Sequence, residues 1–188
     1  MATETEVARR LFTRGEYHRM AEVGILTPAD RVELIRGEIV TMSPPGRRHS
    51  AFVDNLTQLL VLRLGGRALV RVQNPVVLDE YSEPQPDLVL LRRRPVPYKD
   101  ADATADDVLL LIEVADSSIR YDRTTKLRLY AEAGVPEYWI VDCTAESVEV
   151  YRSPDARGYA EVQVRTGSAT VSPTAMPDLT LPLPEIFA

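Results

Sequence analysis

A single cysteine, Cys143, and two histidines, His18 and His49, leave no Cys/His spacing that would hold zinc and no intramolecular disulfide. The sequence also lacks a long apolar run. The longest, Val108 to Ala115, carries Glu113 and falls far short of the ~20 residues a membrane-spanning helix needs. The opening Met1-Ala-Thr-Glu-Thr-Glu-Val has neither the basic start nor the apolar core of a signal peptide. A reducing cytoplasm is therefore the expected setting, with no membrane involved. Glycine-rich phosphate loops are missing, and no G-x-S-x-G turn surrounds Ser117 or Ser118, which argues against a serine hydrolase using His49. Asp100 to Asp106 imitates the opening of a calcium loop, but Ala105 stands where glycine is needed and Leu111 where glutamate is needed. Lysine is scarce as well: of 22 basic residues only Lys99 and Lys126 are lysine.

What is present is a chain of 188 residues, 45% hydrophobic and 27% charged, the composition of one compact domain over residues 1–188 with a substantial core. The net charge of −6 argues against coating nucleic acid through bulk charge and leaves room for a local basic surface. Residues 4–24 carry Val7, Leu11, Phe12, Met20 and Val23 at roughly helical spacing, which predicts one or two amphipathic helices interrupted at Gly15, a helical arm over about residues 1–27. Residues 31–42 read as two strands around a turn at Gly37, followed by the loop Ser43-Pro-Pro-Gly-Arg-Arg. From His49 to Leu64, apolar Phe52, Val53, Leu56, Leu59, Leu60 and Leu64 recur at three and four residues, a helix closed by Gly65-Gly66.

Strands are expected at 69–78, 87–91 and 108–115, the last nearly unbroken in its hydrophobicity, as a central strand buried on both faces would be. Asp122 is the expected cap of a helix over about 123–133, stopped by Gly134. Three more strands follow at 138–143, 147–152 and 159–165. The order predicts an α/β fold with a mixed β-sheet flanked by helices.

Within this frame, Glu113 is the anomalous residue. A carboxylate in a buried strand costs several kcal/mol, of order, unless something pairs with it. Asp87 follows Pro84-Gln-Pro86 at a strand mouth, and Lys126 lies in the next helix. Two carboxylates and an ammonium at neighbouring strand ends would satisfy one another through a divalent cation, the outline of metal-assisted phosphodiester hydrolysis: magnesium takes hard oxygens and often only one or two protein carboxylates, and a lysine stabilises the developing oxyanion.

Asp87 in Gln85-Pro-Asp-Leu-Val-Leu-Leu, Glu113-Val-Ala-Asp-Ser-Ser, Tyr121-Asp-Arg-Thr-Thr-Lys-Leu-Arg-Leu-Tyr and Gly134-Val-Pro-Glu-Tyr-Trp-Ile-Val-Asp resemble the Uma-type restriction endonuclease family, a branch of the PD-(D/E)xK nuclease superfamily. Glu33-Leu-Ile-Arg-Gly-Glu-Ile-Val, Ser43-Pro-Pro-Gly and His49 extend the resemblance over nearly the whole chain. It implies a restriction-endonuclease-like core, Asp87 and Glu113 as magnesium ligands with the Val114 carbonyl as a third, Lys126 as the catalytic lysine, and His49 on the first core helix as a further catalytic residue. The simple superfamily pattern puts lysine two residues after the glutamate, where this chain has Ala115, so the lysine function would have migrated to the next helix.

The expected function is thus a magnesium-dependent endonuclease, with manganese as a substitute ion, acting on DNA as a homodimer, because cutting two antiparallel strands suits a two-fold. The alternative is a catalytically silent nucleic-acid- or protein-binding module that keeps the fold. Plainer readings stand beside each residue: a turn aspartate for Asp87, a solvated helix lysine for Lys126, a helix-start residue for His49. Tyr130, one turn after Lys126 on the same helical face, either orients the lysine or touches the phosphate, with a core tyrosine as the plainer reading. Glu38 could face the same cleft from its strand, but a solvent-facing strand glutamate is the default and it is left out of the catalytic set. Arg47-Arg48 and Arg92-Arg-Arg94 are candidate phosphate contacts, with solvated surface as the default.

Overall fold

The computed structural model describes residues 9–188, so the first part of the expected N-terminal arm, including Val7, lies outside the described residues. Six strands form one mixed sheet in the order β3 (Leu69–Val72), β4 (Leu88–Leu91), β5 (Val108–Ala115), β6 (Glu137–Asp142), β7 (Ser147–Asp155) and β8 (Gly158–Thr166). Every pair is antiparallel except β5 and β6. Parallel neighbours need a crossover, and the helical segment between them supplies it.

The central strand β5 divides its residues between two cores by simple alternation. Leu110, Ile112 and Val114 pack with Leu88, Leu90, Trp139 and Val141 under α2 (Arg47–Leu64), whose Phe52, Val53, Leu56, Leu60 and Leu64 form its buried stripe. Leu111 and Ala115 point the other way and pack with Val89, Tyr138 and Ile140 under Leu129 and Tyr130 of the crossover helix. Glu113 falls on this second face. Gly65, left-handed at φ 56°, closes α2 as expected.

Outside the sheet, β1 (Val32–Ile35) and β2 (Glu38–Thr41) form a hairpin through Arg36 and Gly37, both at positive φ. Two short strands, β9 (Thr170–Val171) and β10 (Leu181–Pro182), pair antiparallel, and α5 (Leu183–Ile186) packs against the end of α2.

The structure corrects three local expectations. Gly15 does not interrupt a helix. It lies in the first turn of α1 (Arg14–Glu22), because Thr13 forms a reciprocal capping box with Glu16 and fixes the start there. The strand expected to reach Leu78 ends at Val72: Gln73 takes φ 50°, which breaks extended geometry, and the following chain crosses to pair Val77 with Thr104.

Asp122 is not a helix cap. The crossover begins earlier, as the turn α3 (Ile119–Tyr121), passes through a wide π-type turn at Asp122–Lys126 and continues as α4 (Leu127–Glu132). Asp122 is buried inside it, and its carboxylate accepts from Ser118 Oγ at 2.6 Å. The π turn brings Asp122 and Lys126, four residues apart, to the same buried side.

Candidate active site

The mouth of β4 and β5 opens into a cavity of about 1070 Å³, walled by α1, the β1–β2 hairpin, the loop after it, the start of α2 and the crossover helix. Asp87 precedes β4, and its Oδ2 accepts from the backbone N–H of Val114 at 2.9 Å, which locks the carboxylate against the end of β5. His49, in the first turn of α2, sits between the same partners. Its Nδ1 lies 2.8 Å from the Val114 carbonyl and its Nε2 lies 3.2 Å from Asp87 Oδ1. Both neighbours are acceptors, an arrangement that favours the protonated ring. The hydrogen bond to Asp87 raises its pKa against the opposing effect of burial.

On the inner side, Lys126 reaches the strand. Its Nζ donates to Glu113 Oε1 at 3.0 Å and pairs with Glu33 Oε1 at 3.3 Å, with the lysine side chain only 8% exposed. Tyr130, one turn further on, donates its hydroxyl to the same Glu113 Oε1 at 2.7 Å, so the tyrosine is both a core residue and a site contact. Glu113 Oε1 therefore takes two donors, while no hydrogen bond goes to Oε2 among the described residues.

The electrostatics follow from burial. Glu113, Glu33 and Asp122 surround one ammonium, leaving the cluster two negative charges in excess when all are ionised. Burial pushes Glu113 up to about 8 and Asp122 up to about 6, with Lys126 opposing both. Burial lowers the lysine, but the three carboxylates outweigh it and hold the ammonium above its ordinary value. The hydroxyl of Tyr121 is buried without a hydrogen-bond partner, and burial pushes it up to about 12.

Among the described residues, no three His, Cys, Asp or Glu side chains converge as a metal-binding group. The donor set that fits a hard cation is Asp87, Glu113 and the Val114 carbonyl: two carboxylates and a carbonyl at one strand mouth, one of them with a free oxygen beside an excess of negative charge. The Val114 oxygen has a second lone pair beyond the one His49 engages.

The structure thus gathers Asp87, Glu113, Val114, Lys126 and His49 around one cavity. Glu38 stands outside it, exposed and paired with Arg9 at 2.8 Å, as expected of a solvent-facing strand residue. Arg93 donates to the Gly66 carbonyl, Arg94 to Asp107, and Arg48 lies 3.3 Å from Glu146, all away from the cavity lining.

Glu33 and Asp122 were not singled out by sequence reasoning for this cluster. Glu33 carried a usable signal, since it interrupts apolar Val32, Leu34 and Ile35 as Glu113 interrupts β5, and its Oε2 accepts from the backbone of Gln85 at 3.1 Å. Nothing local distinguished a buried Asp122 from a helix cap.

The sequence profile of the Uma2 family, described as "Putative restriction endonuclease", matches residues 14–184. No curated protein shows significant similarity. Among solved structures, the chain is similar to a crystal structure described as "a putative nuclease belonging to DUF820" from Anabaena variabilis. The TM-score is 0.71 at 19% identity, over 88% of this chain and 94% of that one. At that identity the likeness establishes the restriction-endonuclease-like fold.

Proposed function

Because the chain belongs to the Uma2 restriction endonuclease family, we propose that it is a magnesium-dependent endonuclease that hydrolyses phosphodiester bonds in DNA. The observation that carries this reading is the contact of Lys126 with Glu113 at 3.0 Å, beside Asp87, which provides an ammonium and two carboxylates at one strand mouth although position 115 is alanine.

Asp87, Glu113 and the Val114 carbonyl would hold magnesium, or manganese in its place. When bound, such an ion polarises the scissile phosphate and acidifies water. The remaining work belongs to side chains of this protein. Lys126 stays protonated across the working range and presents a compact positive charge where negative charge builds on the phosphoryl oxygens. Tyr130 and Glu33 fix its position, the first by anchoring Glu113 and the second by pairing with the ammonium. His49 orients Asp87 and the Val114 carbonyl. Pro44, Pro45 and Gly46 form part of the cavity wall beside these groups.

The test is nicking of supercoiled plasmid in magnesium, manganese, calcium or chelator. Cleavage is expected in the first two, little turnover in calcium because its looser coordination positions the attacking water poorly, and none in chelator. Loss of cleavage in both Asp87→Asn and Glu113→Gln, with the fold retained by circular dichroism, would complete the result. Equal cleavage in chelator, or in either variant, would overturn the proposal.

A further inference from the structure

The far edge of the sheet carries a second message. β8 is the last strand of six, and among the described residues only β7 pairs with it. From Ala160 to Thr166 every residue is exposed, so among the described residues neither sheet face is covered there and no element overhangs the free edge. Val162 and Val164 are 54% and 59% exposed, on the same side of the strand.

Edge strands ordinarily resist self-association through proline, lysine, a bulge or a very short length. β8 has no proline, lysine or bulge and is not short, and its only charged residues are Glu161 and Arg165: its nine residues, Gly158-Tyr-Ala-Glu-Val-Gln-Val-Arg-Thr, are in continuous register with β7 apart from the break opposite Ser153.

Its two charges are also arranged self-complementarily. An antiparallel pairing with a second β8 about a two-fold axis at Gln163 sets Glu161 opposite Arg165 of the other copy, and Arg165 opposite Glu161. The same axis sets Val162 opposite Val164 twice, on the opposite sheet face. Each charged residue meets its opposite and each exposed valine meets a valine, a coincidence that a one-residue slip in register destroys. A two-fold interface uses one patch on both copies, and this patch matches itself.

We propose that β8 pairs with β8 of a second copy of this chain, with the two-fold at Gln163, to give a homodimer whose sheet runs continuously through twelve strands, twice the six of one chain. The interface lies at the opposite edge of the sheet from β3 and β4, so it leaves the cavity at the mouth of β4 and β5 open in each copy. It does not depend on the proposed nuclease activity.

Sedimentation equilibrium across micromolar to sub-millimolar protein tests the proposal. The wild type should approach twice 21.0 kDa. Glu161→Arg alone and Arg165→Glu alone should each weaken dimerisation about tenfold, since either places like charges opposite each other twice. The double reversal should restore it, because the pairs reappear with signs exchanged. Gln163→Cys should form an interchain disulfide under mild oxidation. These substitutions are on the surface, and circular dichroism checks that each variant folds. A wild type that stays at 21.0 kDa throughout overturns the proposal. So does a dimer indifferent to the single reversals, or one not restored in the double variant.

Discussion

Replacing Lys126 by methionine removes the single ammonium from a pocket that holds three carboxyl groups while keeping most of the side-chain volume. Nζ lies 3.0 Å from Glu113 and 3.3 Å from Glu33, the two carboxylate side chains are 6% and 3% exposed, and Asp122 is buried beside them. Breaking a buried ion pair from one side costs about 3–5 kcal/mol, because the partner charge stays behind without compensation. At about 2–4 °C per kcal/mol for a chain of this length, the melting temperature should fall by roughly 6–20 °C.

The deficit has a pH signature. Glu113 and Asp122 already titrate at about 8 and about 6 in the fold, against ordinary values of 4.5 and 3.8, and losing the ammonium raises both further. The folded state then keeps protons that the unfolded chain has released, so stability falls as pH rises through this interval. Lys126→Met should therefore show its smallest deficit near pH 4, where Glu113 and Asp122 are protonated in the folded form of both proteins, and a larger one above about pH 8, where the acids beside the wild-type ammonium have ionised. Urea denaturation in chelator, followed through the fluorescence of the fully buried Trp139, measures this directly. An equal deficit at both pH values, or none at the higher one, would refute the idea that Lys126 compensates buried acids.

Lys126→Ala should slow cleavage at least about a hundredfold, the range for losing one well-placed electrostatic donor, and Lys126→Arg should rescue poorly because a planar guanidinium does not fit an ammonium site. Single-turnover kinetics on plasmid would check both. His49→Ala removes the donor to Asp87 Oδ1 and to the Val114 carbonyl, so weaker magnesium activation with an intact fold is expected, read from the ion concentration at half-maximal rate. Gly37→Ala should destabilise by about 1–3 kcal/mol, since Gly37 has φ 77° and an added Cβ would come within 2.6 Å of Leu11 Cβ; urea unfolding reports it.

Much of this protein is determined by local sequence. The unbroken hydrophobicity of Val108–Ala115 makes a two-faced central strand, the three-and-four spacing from Phe52 to Leu64 makes α2, and Gly37 and Gly65 set a turn and a stop, because each depends on residues that are neighbours along the chain. Glu113 advertises itself for the same reason: a charge inside an apolar strand is visible without knowing what meets it.

What meets it is a matter of tertiary structure alone. The parallel pairing of β5 with β6 places the crossover helix over Glu113, and the π turn within that helix swings Asp122 and Lys126 to one side, an event no local propensity signals. Glu33 joins the ammonium only because the β1–β2 hairpin folds across the sheet from more than ninety residues away in sequence, ninety-three by number, 126 − 33. The charge balance of the site is a sum over such distant groups in a medium too poor in water to screen them, so it exists only once the chain has closed around it.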